Sequence, residues 1–120
     1  ERKGRVISIF QPHRYTRLEN LFSDFASCFA KSDKVYILDV FSAGYLPIEG
    51  INSKTLVEAI NKNSVDAEYL ANHEDITSIV ANEAGEGDII LMMGAGSITT
   101  WANQLPEKLE KIDTSAVTVN

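Results

Sequence analysis

His13, Arg14 and Arg17 stand within five positions of one another, where the apolar run Val6-Ile7-Ser8-Ile9-Phe10 gives way to a helical pattern. A guanidinium presents a planar fork of donors that matches a carboxylate or phosphate. An imidazole adds a donor whose charge follows its surroundings. These residue types so close together suit the holding of an anion. Arginine at a helix N-terminus also sits in the positive end of the helix dipole, which an anion would offset. The residues alone leave a second reading open: Arg17 as a solvated first-turn side chain and His13 as a hydrogen-bonded loop histidine.

Two further stretches could contribute. Gly94-Ala95-Gly96-Ser97 joins a strand pattern to a helix pattern, and such a turn lets backbone N–H groups approach an anion. It lacks the third glycine of a dinucleotide fingerprint and the lysine of a Walker loop. It is equally a tight turn with Ser97 as helix cap. Asp39-Val40-Phe41-Ser42-Ala43-Gly44 places a carboxylate near a strand end, where a ribose hydroxyl can be held; within an apolar run, Asp39 can instead satisfy a neighbouring backbone group. His13 and His73 have no metal-ligand spacing, so no metal site is expected. Cys28 is expected to be buried on an apolar helix face rather than to act as a thiolate, and Trp101 to pack in a core or domain contact. No carboxylate pair stands out for acid–base work.

The elements that must position these residues follow from periodicity. Strands are predicted over Arg5–Phe10, Val35–Val40, Ala67–Leu70 and Asp88–Met93, with Ala116–Val119 as a last strand or a frayed end. Leu18, Leu21, Phe22, Phe25, Cys28 and Phe29 recur at helical spacing and predict one helix over Arg17–Ala30. Further helices are expected from Ser53, as N-cap, to about Asn61, over Glu74–Ala84, and from Ser97 until Pro106 interrupts. A long loop, Phe41–Asn52, carries Gly44, Pro47 and Gly50. Strands alternating with helices, without hairpin signals, imply an α/β fold. The expected form is a doubly wound, mostly parallel, Rossmann-like sheet with helices on both faces, three layers in all. In such sheets ligands bind beyond the carboxyl ends of the strands, which is where the 11–17 loop falls.

With 120 residues, the chain is long enough for one domain with a modest core. Its net charge is −6, but residues 1–17 carry +4 and residues 18–120 carry −10. A non-specific nucleic-acid binder is basic overall, and this chain is not. Its local positive charge suits a small anion or a contact with another domain. No apolar run approaches ~18 residues, so no membrane insertion is expected. Glu1-Arg2-Lys3-Gly4 leads straight into a strand pattern without a signal-peptide pattern, and a lone cysteine fits a reducing cytoplasm.

Three segments, in order, resemble the C-terminal domain of the Mur ligases, and within that family the branch that joins L-alanine to UDP-N-acetylmuramate. They are Phe10-Gln11-Pro12-His13-Arg14-Tyr15-Thr16-Arg17; Leu38-Asp39-Val40-Phe41-Ser42-Ala43-Gly44 with Pro47-Ile48 and Gly50; and Gly87-Asp88-Ile89-Ile90-Leu91-Met92-Met93-Gly94-Ala95-Gly96. The resemblance implies an ATP-dependent acid–amino-acid ligase of peptidoglycan synthesis that works through an acyl phosphate. It implies that His13, Arg14 and Arg17 bind substrate, with Arg14 and Arg17 also stabilising charge in the reaction. Asp39, Ala43, Gly44, Gly94 and Gly96 would then lie near nucleotide. Tyr45 stands where the family usually has a charged residue, often Glu, and Ser97 where Asp is common.

The family's GKT-type phosphate loop, magnesium ligands, UDP-sugar domain and His-rich opening segment do not occur in this sequence. The expectation is one domain excised from a longer chain, over residues 1–120, whose missing domains are its partners. ATP and Mg2+ would serve the full-length enzyme, and the piece alone would bind neither and be inactive. A free-standing α/β nucleotide- or anion-binding module and a non-catalytic interaction domain of flavodoxin-like shape are the rival readings.

Overall fold

In a computed structural model of the chain, the residues described are 4–42, 44–83, 85, 87–94 and 118–119. Five strands form one parallel sheet: β1 (Val6–Gln11), β2 (Lys34–Leu38), β3 (Ala67–Leu70), β4 (Ile89–Gly94) and β5 (Thr118–Val119), in the spatial order β3-β2-β1-β4-β5. Among the described residues four α-helices accompany them: α1 (Tyr15–Asn20), α2 (Phe22–Ser27), α3 (Ser53–Lys62) and α4 (Ile76–Glu83). The chain steps outward from β1 to β3, then returns to the other side of β1 for β4. The carboxyl ends of β1 and β4 are therefore a topological switch point, the place where open α/β sheets leave a crevice. Gln11 and Gly94 are register partners there.

Alternation along the central strands makes the three layers. Ile7, Ile9, Tyr36, Leu38 and Ile90 face one core, closed by Ile76 and Val80 of α4. Phe10, Val35 and Ile37 face the other, closed by Leu18, Ala26, Phe29, Leu56 and Ile60. The last strand expected over Ala116–Val119 is present at Thr118–Val119, paired with β4. The helix expected from Ser97, Pro106 and Trp101 lie outside the described residues.

Several local expectations are corrected. The helix over 17–30 is two short helices, because the backbone at Leu21 (φ −115°, ψ 20°) leaves the helical region. The apolar stripe is re-phased across this break and α2 ends at Ser27. Cys28 then falls in a turn and is exposed, its thiol donating to the Phe25 carbonyl. Asn52, not Ser53, caps α3, in a reciprocal capping box with Thr55. Ser53 is buried instead, its hydroxyl donating to the Leu38 carbonyl. The segment expected as helix from Glu74 opens as a 3₁₀ turn over His73–Asp75, with the Asn72 side chain accepting from the Glu74 N–H, before α4 begins.

Arg5 and Asp88, expected as the first residues of β1 and β4, stand just before them for an electrostatic reason. The buried Asp88 carboxylate accepts from the Arg5 N–H (2.9 Å), the Arg5 guanidinium (3.2 Å) and the Gly85 N–H (2.9 Å). It ties the amino ends of the two central strands together. Burial pushes its pKa up, but these donors outweigh burial and hold it below its ordinary value. Stability from a lowered pKa is fully present above the ordinary carboxylate value of about 3.9 and is lost as pH falls through the folded-state value. Asp88→Asn should cost about 1–3 kcal/mol at neutral pH and remove this part of the acid dependence, as read by urea unfolding across pH.

Candidate active-site edge at the sheet switch point

The site begins where β1 ends. Gln11 and Pro12 are buried, His13 is half-buried, and Arg14 and Arg17 are exposed. Pairing between β1 and β2 runs on past the strands: the Phe41 N–H donates to the Pro12 carbonyl and the Arg14 N–H to the Phe41 carbonyl, each at 2.8 Å. From the Phe10–Ile37 pair to the His13–Phe41 bridge, the β2 side spends one residue more than the β1 side. This local mismatch turns both loops out over the sheet edge. The His13 ring stacks on Phe41, centroids 5.3 Å apart and planes 18° apart.

The clamp forces Arg14 to φ +68°, ψ 139°, a region that favours glycine. Holding a non-glycine residue there costs of order 1–3 kcal/mol. Its carbonyl accepts from the Leu18 N–H and so starts α1. Its guanidinium lies over the Tyr45 ring, 5.2 Å from the centroid. One turn on, Arg17 faces the same side. His13, Arg14 and Arg17, with Thr16, Asn20 and Leu21, line a cleft of about 580 Å³. His13 and Arg17 also line an adjoining cleft of about 260 Å³ with Phe10, Gln11, Phe25 and Gly94. Neither arginine makes an ion pair with a carboxylate among the described residues. The arrangement can therefore take an anion on two guanidinium groups and an imidazole. The helix dipole adds little here, since α1 has only six residues.

The other expected residues divide. Gly94 joins the arginine loop, and its role is geometric. At φ +132°, a Cβ there would lie 2.4 Å from the Gln11 carbonyl oxygen, so the close approach of β4 to β1 at the crevice requires glycine. Asp39 and Gly44 line neither cleft. Asp39 accepts from the Tyr69 hydroxyl, whose pKa this bond pushes up to about 12. Gly44, at φ +87°, sits in an exposed turn. Ala43 and Gly96 lie outside the described residues. Residue reading missed Phe41 and Tyr45, the aromatic faces under His13 and Arg14. Each lies about thirty residues from its cation, and nothing local in the sequence signals that pairing.

Residues 1–96 match the family described as Mur ligase, glutamate ligase domain, and the chain belongs to that family. Its fold, with the crevice between β1 and β4, is the three-layer form expected from the strand pattern. Among its relatives is the UDP-N-acetylmuramate–L-alanine ligase of Rickettsia canadensis (strain McKiel), 48% identical over 110 residues, which are 90% of this chain and 23% of that protein. The enzyme of the same name from Rickettsia prowazekii (strain Madrid E) is 47% identical over 111 residues, 91% of this chain and 22% of that protein. That from Rickettsia peacockii (strain Rustic) is 45% identical over an alignment of 121 positions that covers 99% of this chain and 25% of that protein. The chain spans about a quarter of the length of the curated relatives it matches. No helix among the described residues is long and apolar enough to cross a membrane.

The two glycines give a discriminating prediction. Gly94→Ala drives a Cβ into backbone and should lose at least about 2 kcal/mol of unfolding free energy. Gly44→Ala meets open space and should lose only the left-handed backbone term, about 1–2 kcal/mol. Parallel urea titrations of the two variants read the difference.

Proposed function

We propose that this chain is the C-terminal, amino-acid-positioning domain of an ATP-dependent ligase that joins L-alanine to UDP-N-acetylmuramate in peptidoglycan synthesis. The observation that carries the reading is the convergence of His13, Arg14 and Arg17 on one cleft at the switch point, in a member of the Mur ligase family. The names of the relatives supply the two substrates. In this reading a carboxylate oxygen of the muramate attacks the terminal phosphorus of ATP and ADP leaves, giving an acyl phosphate. The alanine amine attacks the acyl carbon, the bond from carbon to phosphate oxygen breaks, and the amine loses its proton as the amide forms.

The chain's own residues hold charge through these steps. Arg14, Arg17 and His13 bind the alanine carboxylate, which aims the amine. Arg14 and Arg17 also face the negative charge on the acyl phosphate and on the tetrahedral intermediate that expels phosphate. Fixed donors placed where charge develops are the main source of such rate enhancement. Gly94 walls the crevice beside His13 and Arg17. Among the described residues no three His, Cys, Asp or Glu side chains gather as a metal site. The described residues thus offer no cage for Mg2+. ATP and Mg2+ belong to the full-length enzyme, whose remaining domains are this domain's partners in the cytoplasm, where it serves cell-wall biogenesis, cell shape and division.

In the full-length ligase, Arg14→Ala should lower turnover by at least ~10²-fold. Arg14→Gly should lose as much activity yet be at least as stable as the parent, because glycine accepts the positive φ without strain. Steady-state kinetics and urea unfolding on both variants check this; unchanged kcat and alanine KM would remove Arg14 from the site.

A further inference from the structure

Tyr45 and Leu46 are the two large apolar side chains most exposed in the described residues, at 58% and 84%. Neither belongs to a core cluster, so packing does not explain an aromatic residue at position 45. Its contact does. The Tyr45 ring underlies the Arg14 guanidinium at 5.2 Å. A turn carries the ring there: the Tyr45 N–H donates to the Ser42 carbonyl, and Gly44 supplies φ +87°. The start of that turn is pinned at Phe41 by the same backbone clamp that sets Arg14.

A ring face attracts a guanidinium through its π-system without neutralising its charge. A guanidinium carries five N–H donors in a planar fork, more than one ring face can engage. We propose that Tyr45 is a positioning residue that orients Arg14 for its anionic substrate while leaving its hydrogen-bonding edge open. The proposal deepens the reading above and rests on it for the identity of the anion, the L-alanine carboxylate. The ring face does the work and the hydroxyl does not.

In the full-length ligase, Tyr45→Leu should raise the KM for L-alanine about threefold to fivefold, the range of an exposed cation–π contact, and leave the KM for ATP unchanged. Tyr45→Phe keeps the face and should stay within about twofold of the parent on both. An unchanged alanine KM in Tyr45→Leu overturns the proposal. So does Tyr45→Phe behaving like Tyr45→Leu, or an ATP KM that rises as much as the alanine KM. A second measurement does not depend on the enzymatic reading. In the NMR spectrum of the full-length protein carrying isotope-labelled arginine, the Arg14 δ-methylene protons should be shifted upfield by the ring current in the parent and in Tyr45→Phe, and not in Tyr45→Leu. Absence of that shift in the parent overturns the contact itself. If the shift is present while Arg14→Ala leaves alanine kinetics untouched, the enzymatic reading fails and with it the role in alanine binding.

Discussion

Two backbone hydrogen bonds, from Phe41 to Pro12 and from Arg14 to Phe41, carry the parallel pairing of β1 and β2 beyond the ends of the strands. Most of the site follows from them. They hold Arg14 in a conformation that arginine would otherwise avoid, and they lay His13 against Phe41. They set the point at which α1 begins and therefore the direction of Arg17. A buried backbone polar group must find a partner. Because these partners lie on a neighbouring loop, the two loops form one hydrogen-bonded edge. Strain held at one residue by surrounding structure is characteristic of functional sites, where geometry outranks local stability.

Charge distribution gives that edge its meaning. Residues 18–120 are acidic, with a net charge of −10, yet the cleft carries two arginines that no described carboxylate pairs with. At the amino edge of the sheet, Arg5 pairs with Asp88, and Lys34 with Asp66 and Glu68. Pairing at the amino edge of the sheet stabilises the fold, and its absence at the carboxyl edge leaves donors for a ligand. The sheet thus has a paired end and an unpaired end, and the unpaired one is the edge at which ligands of open α/β sheets bind.

Much of the fold was legible in the residues. Val, Ile and Leu runs separated by amphipathic segments allow little besides a parallel sheet with helices on both faces. The 11–17 loop announced itself by charge in an otherwise acidic chain. What escaped was long-range. The break at Leu21 cannot be read from a stripe of apolar residues that continues across it, and Cys28 was misplaced for that reason. Gly94 reads as a flexible approach to an anion until the Gln11 carbonyl is seen 2.4 Å from where its Cβ would be. Asp39 reads as a ribose acceptor until Tyr69, from a strand thirty residues on, is found bonded to it. Phe41 and Tyr45 look like ordinary loop aromatics until the parallel pairing brings them under the cations.

The central claim is that the cations at the end of β1 recognise a carboxylate. Its most direct test compares L-alanine with L-alaninamide, which keeps the amine and methyl but lacks the negative charge, as substrates of the full-length ligase. The parent enzyme should prefer L-alanine strongly in kcat/KM, and Arg17→Ala should collapse that preference toward unity by losing activity on L-alanine far more than on the amide. A preference that survives intact in Arg17→Ala would contradict the claim.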